Sequence, residues 1–104
     1  MIDKVDLQKI ADELEFDLED VEMLMGVFIE SAEESLKVLE IAIADKDYES
    51  IFTSAHSIKG SSANLKLIEI YELSKEIEFS AKELKPIDYQ DLLNQLKISL
   101  DKIR

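Results

Sequence analysis

Inward-facing positions recur every third or fourth residue along almost the whole of this 104-residue chain, and little interrupts them: there are two Gly and one Pro. That rhythm specifies amphipathic helices, and so few turn formers leave little scope for the reversals of a sheet protein. Val5 to Leu14 reads as a short helix, with Asp3 as its cap. Glu15-Phe16-Asp17 is a break, and Asp17 is placed to cap the second helix. Val21, Leu24, Phe28, Ala32, Ser35, Leu39 and Ile43 then mark the inward face of that helix, from Leu18 to about Asp45, roughly 28 residues or about 42 Å. Lys46-Asp47 is a turn, with Asp47 as cap. A third helix runs from Tyr48 to about Leu65, with Ile51, Ala55, Ile58, Ser62 and Leu65 inward. A fourth runs from about Leu67 to Leu84, with Ile70, Leu73, Ile77, Ala81 and Leu84 inward. Lys85-Pro86 ends it. Asp88 caps a fifth, in which Tyr89, Leu92, Leu93, Leu96, Leu100 and Ile103 face the core.

Four such helices on short loops predict an all-α fold: an up-down-up-down antiparallel four-helix bundle with a short additional N-terminal helix. The second helix exceeds the others by about ten residues, roughly 15 Å, so its first turns overhang. The N-terminal helix is the natural cover. Residues 1–104 are one domain, with 1–16 as the cover helix and 17–104 as the bundle.

Composition narrows the function. There is no Cys and one His, which disfavours disulfides, thiol chemistry and a zinc or copper site, so no metal ligands are assigned. No apolar run nears the roughly 20 residues of a membrane span, and the N-terminus lacks signal-peptide character. The cytoplasm is the expected compartment. The 24 acidic and 12 basic residues leave a net charge of -12, which disfavours nucleic acid and anionic membranes as partners. A monomer is expected.

The single histidine, His56, stands in the one long gap in that acidity: Ile51 to Ile68 contains no Asp or Glu. It follows the inward Ala55 by about 100°, so it flanks the core and is exposed. Lys59 and Gly60 lie one turn on, on its own face. A glycine inside a helix costs about 1 kcal/mol relative to alanine. In a chain this poor in glycine, Gly60 calls for a reason, and clearance for another protein beside His56 is one. Lys59 offers an ammonium to phosphoryl oxygens. Ser57 and Ser61 add hydroxyls, and Ala63 continues the small surface. Neutral imidazole is a competent nucleophile near pH 7. A lone helical histidine is commonly an ordinary surface residue; the combination of neighbours sets this one apart.

The segment Ala55-His56-Ser57-Ile58-Lys59-Gly60-Ser61-Ser62-Ala63-Asn64-Leu65-Lys66 resembles the histidine phosphotransfer (HPt) domains of two-component phosphorelays, whose pattern is roughly Ala-His-x-Leu-Lys-Gly-Ser-Ser-x-x-Leu-Gly. Leu73-Ser74-Lys75-Glu76-Ile77-Glu78 looks like the family's following helix, and the resemblance extends over about Leu18 to Arg104. It implies that His56 accepts a phosphoryl group at its outer ring nitrogen from a receiver-domain aspartate and passes it to another receiver. Lys59 would be the electrostatic stabiliser and Gly60 the docking clearance. Lys66 departs from the family, which often has Gly there.

On this reading the chain is a phosphocarrier and not an enzyme. It binds no cofactor, and the Mg²⁺ that phosphoryl transfer needs comes with the partner receiver. Expected partners are receiver domains of response regulators or hybrid histidine kinases. Met23 and Val27, on the overhang of the long helix, are the expected apolar docking patch alongside Ser57, Ser61 and Ala63. Two alternatives stand beside this reading. One is the phosphoacceptor module of a chemotaxis-type histidine kinase, with ATP as donor; the opening methionine favours the free-standing carrier. The other is a helical interaction module that is never phosphorylated, against which Lys59 and Gly60 argue.

Overall fold

The computed structural model describes residues 4–104, with side chains from Asp6 onward. Five helices follow one another: α1 Lys4–Leu14, α2 Leu18–Ala44, α3 Tyr48–Asn64, α4 Ile68–Lys82 and α5 Tyr89–Asp101. No strand occurs among the described residues, and none of their helices is long and apolar enough to cross a membrane. The expected cap Asp3 lies outside the described residues.

Helices adjacent in sequence pack together. α3 lies against α2 and α4, α5 against α4 and α2, and α1 against α2 alone. Closing the ring through α2 and α5 is the arrangement of an up-down bundle. The 27 residues of α2 give a rod of about 40 Å, which accounts for the 41 Å long axis of the molecule. α1 buries Leu7, Ile10 and Ala11.

The core departs from the expected stripe on α2. The buried positions are Val21, Met25, Phe28, Ala32, Leu36, Leu39 and Ala42. Leu24, Ser35 and Ile43 are only half-buried at its edges. Each substitute is the next residue or the previous one, about 100° away on a face wide enough to admit either; at Ser35-Leu36 the apolar side chain takes the interior. Leu84 is a plain correction: it is exposed, because α4 stops at Lys82 and Leu84 has left the helical phase. Serines fill several tight positions between helices. Ser62 and Ser74 are fully buried and donate to carbonyls of their own helices, Lys59 at 3.0 Å and Ile70 at 2.7 Å. No buried side-chain nitrogen or oxygen among the described residues lacks a partner.

Helix ends are fixed by two devices. Asp47 accepts from the Ser50 backbone N–H at 3.2 Å and from its hydroxyl at 2.7 Å, and Asp88 accepts from the Asp91 N–H at 3.0 Å. The Ser50 hydroxyl, then its N–H, holds the Asp47 carboxyl below the ordinary value of 3.8. A lowered folded pKa means that the cap's contribution is present above that value and is lost as pH falls through the folded one. Asp17 holds the N-cap position of α2 in extended geometry, yet its side chain makes no capping bond.

Four helices end on a residue in the left-handed region, and none is glycine: Glu15, Lys46, Lys66 and Leu84, with φ of 57°, 56°, 59° and 54°. Each is followed by the paired carbonyl bonds of a Schellman turn. At Lys66, its own N–H donates to the Ala63 carbonyl at 3.2 Å and that of Leu67 to the Ser62 carbonyl at 3.0 Å. The loop after the histidine helix thus keeps the backbone that glycine favours while carrying lysine, at a local cost of about 1–2 kcal/mol. Lys66→Gly should therefore stabilise the fold by about 0.5–1 kcal/mol after the entropy of the unfolded glycine is counted. Calorimetry should show a thermal midpoint raised by roughly 2–8 °C; a lowered midpoint would mean that the lysine side chain contributes more than its backbone costs.

Candidate functional site

α3 carries the site because both its ends are pinned, by Asp47 at the start and the Lys66 turn at the finish. Its inward face, Ile51, Ala55, Ile58 and Ser62, is fully buried, which fixes its rotation. His56 follows Ala55 around the helix and emerges with 62% of its side chain exposed. The Phe52 ring, one turn before, stacks on the imidazole with centroids 5.9 Å apart and planes 12° from parallel.

The acid-free window did not foretell what folds against it. Glu78 on α4 reaches across, its Oε2 3.1 Å from His56 Nδ1. The same carboxylate holds Lys59 Nζ at 3.0 Å. Glu78 is half-buried, with 15% of its side chain exposed. The acid-free window describes α3 alone; folding brings a carboxylate from α4 to His56, on the inner ring nitrogen. The sequence held a signal for it. His56 follows the core residue Ala55 by one position and Glu78 follows Ile77 by one, so both lie at the flanks of two helices that pack together.

The chemistry depends on which nitrogen is engaged. With Nδ1–H donating to Glu78, Nε2 keeps its lone pair on a ring that is largely exposed. If the ring becomes cationic, the carboxylate is already in place to stabilise it. Lys59 lies toward α4 and is bound to Glu78, so it is not the loose ammonium that spacing alone implies. It offsets the carboxylate's charge, which would otherwise oppose an incoming phosphoryl group.

Gly60 is exposed, and a Cβ built there would meet nothing within 4 Å. Helix packing inside the chain does not require it. The same holds for Gly26, for which close packing was one expected role. Ser57 and Ala63 are exposed, while Ser61 is half-buried and donates its hydroxyl to the Ser57 carbonyl at 3.0 Å. On α2, Met23 and Val27 stay uncovered by α1, at 63% and 61% exposure. The expected residues fall into two neighbouring groups. His56, Lys59 and Glu78 meet between α3 and α4. Val27 and Ser61 line a groove of about 440 Å³ between α2 and α3, together with Leu14, Phe16, Leu24 and Asn64. Met23 lies one turn from Val27, outside that groove's lining.

Comparison with known proteins converges on one description. The family model for the Hpt domain matches residues 23–104. The chain is similar to the chemotaxis protein CheA of Borreliella burgdorferi, with 35% identity over 99 residues that cover 85% of this chain and 11% of that protein. It therefore spans only a small part of that relative's length. In structure it is similar to histidine-containing phosphotransfer protein B (HptB) of Pseudomonas aeruginosa PAO1, with a TM-score of 0.81 and 25% identity, covering 99% of this chain and 87% of that one.

If Glu78 sets the tautomer, removing it is readable directly. In ¹⁵N-edited NMR of the neutral imidazole, the wild type should show a protonated Nδ1 and a bare Nε2. Glu78→Ala should shift the ring toward the Nε2–H form that dominates free imidazole side chains. Identical spectra for both proteins would remove Glu78 from that role.

Proposed function

This chain belongs to the Hpt domain family, and from that premise we propose that it shuttles a phosphoryl group between receiver-domain aspartates in a two-component phosphorelay, with His56 as the phosphoacceptor. Placement in two-component signalling comes with the family. The observation that carries the assignment of His56 is the bond from its Nδ1 to Glu78, which leaves the lone pair on Nε2 of a largely exposed ring.

In the proposed step, the Nε2 lone pair attacks the phosphorus of an aspartyl phosphate. The N–P bond forms as the P–O bond to the aspartate breaks, and the electron pair leaves with the aspartate as carboxylate. No proton has to leave Nε2, because the ring already carries it on Nδ1. The phosphorylated ring is then an imidazolium held by Glu78, and Lys59 moderates the carboxylate's repulsion of the phosphoryl oxygens. Return transfer to a second receiver runs the same bonds in reverse. Phosphoryl transfer of this kind rests on positioning and on charge at the oxygens.

Mg²⁺ does not fit this chain's own donors. Among the described residues no three His, Asp or Glu side chains converge, and the one carboxylate beside His56 is engaged by His56 and Lys59. The metal is assigned to the receiver. On this reading the chain is a carrier and not an enzyme, acting as a monomer in the cytoplasm, where its partners are receiver domains of response regulators or hybrid kinases. Gly60, Ser57 and Ala63 form the bare surface on which a receiver comes close to His56, with Ser61, Met23 and Val27 at its margin.

A second reading has specific support in the similarity to a chemotaxis protein CheA. There the chain would be the phosphoacceptor module of a chemotaxis-type histidine kinase, and ATP held by a kinase domain would be the donor. Two experiments separate the readings. Phosphorylated receivers with Mg²⁺ should label the wild type with acid-labile, base-stable phosphate, and His56→Gln should take none while keeping its helical circular dichroism. Label from an ATP-loaded chemotaxis-type kinase, and from no receiver, would transfer the assignment to the second reading. Label on His56→Gln would remove His56 from either.

Gly60 separates docking from folding. Because a Cβ meets nothing there, Gly60→Ala should stabilise the protein by about 1 kcal/mol in urea unfolding. Gly60→Leu should fold equally well yet slow transfer by about tenfold or more through steric exclusion of the partner. Transfer at wild-type rates in the leucine variant would refute the clearance role.

A further inference from the structure

α2 carries acids of two kinds. On the side facing α5, Glu33 is bonded to Arg104 at 2.6 Å and Glu40 to Lys97 at 3.0 Å. On its outward side Glu30 and Glu34 are exposed, and neither has an ion pair among the described residues. The nearest cation further along the helix, Lys37, lines the groove on the α5 side. Helical spacing puts Glu30 and Glu34 on the stripe that begins with Met23 and Val27. That stripe borders the apolar groove lined by Leu14, Phe16, Leu24, Val27, Ser61 and Asn64. Ser61 is one turn from Ser57, the residue after His56, so the groove begins about 7.5 Å along α3 from the phosphoacceptor. The α3 edge brings no carboxylate, since Ile51 to Ile68 has none. The result is an apolar groove near the His56 surface, which the stripe of Glu30 and Glu34 meets at Val27, and neither acid is paired with a cation among the described residues.

Resting on the carrier reading above, we propose that this groove and its rim at Glu30 and Glu34 select the partner: a receiver domain whose docking surface presents an apolar side chain flanked by lysine or arginine. The apolar contact supplies the buried centre, and the rim charges set encounter rate and choice. A second copy of this chain is a poor occupant, because two molecules each of charge -12 repel. A receiver with an acidic docking face is rejected for the same reason.

The test uses the full chain loaded with phosphoramidate, a small donor that needs no docking. Its P–N bond breaks with release of ammonia as the Nε2–P bond forms. The labelled chain is then offered to each receiver domain encoded in its own genome, at about 50 and about 500 mM salt. The fastest acceptor should carry lysine or arginine around an apolar docking residue. Its rate should fall about tenfold or more in the Glu30→Lys/Glu34→Lys variant and at high salt, with a smaller fall in Glu30→Gln/Glu34→Gln. Loading by phosphoramidate and circular dichroism should not change in either variant. Wild-type transfer rates in the lysine variant would overturn the proposal. So would a fastest acceptor with a neutral or acidic docking face, or self-association as the only binding to this groove. Failure of the wild type to load at His56 is a different result: it defeats the carrier reading and takes this inference with it.

Discussion

One carboxylate organises the site. Glu78 joins α4 to α3 by accepting from His56 Nδ1 and from Lys59 Nζ, at 3.1 and 3.0 Å. A half-buried charge with a single partner would be costly; with two donors it is satisfied, and each donor is held in turn. The bond to Nδ1 decides which nitrogen keeps its lone pair, and the bond to Lys59 offsets the carboxylate's charge. Both depend on α3 and α4 holding their relative rotation, which the interlocked Ile51, Ala55, Ile58, Ile70 and Ile77 enforce from the core.

Glycine is used in the reverse of the usual way. Four backbone positions with φ near +55° carry Glu15, Lys46, Lys66 and Leu84, and both glycines sit inside helices where nothing in the chain crowds a Cβ. On stability alone the arrangement loses at both kinds of site, by an amount on the order of 1 kcal/mol each. A core that buries the inward faces of five helices tolerates that loss. It also means that packing does not explain Gly26 or Gly60; for Gly60 the proposed reason is close approach by a partner.

Most helix limits were legible because they depend on local chemistry. Asp47 and Asp88 cap as their spacing predicts, and Ile51, Ala55, Ile58 and Ser62 all face inward. The misses have two causes: neighbours distant in sequence, and helix ends that no residue type announces. Met25 rather than Leu24 enters the core because α2 settles its rotation against the other helices. Leu84 leaves the stripe because α4 ends early in a Schellman turn that no glycine announces. Glu78 sits 22 residues from His56, and only the pairing of α3 with α4 brings them together. The exposed position of His56 was readable from one residue's offset to Ala55; the partner that sets its tautomer was not readable as a contact.

A carrier has to satisfy two demands that conflict in an enzyme. Its phosphoacceptor must be open enough for two different partners, yet a phosphorylated ring in open water must not be hydrolysed. The geometry meets both by placing its one nearby carboxylate on the wrong side for hydrolysis. A base that activated water would have to stand near Nε2, in line with the N–P bond. Glu78 is on Nδ1, is half-buried, and is engaged by Lys59. The exposed residues of α3 that follow His56, Ser57 and Gly60 and then Ala63 further on, include no base at neutral pH. The same bareness that would admit a receiver therefore offers water no catalyst, so the proposed phosphohistidine would persist until a partner brings the charge that completes the transfer.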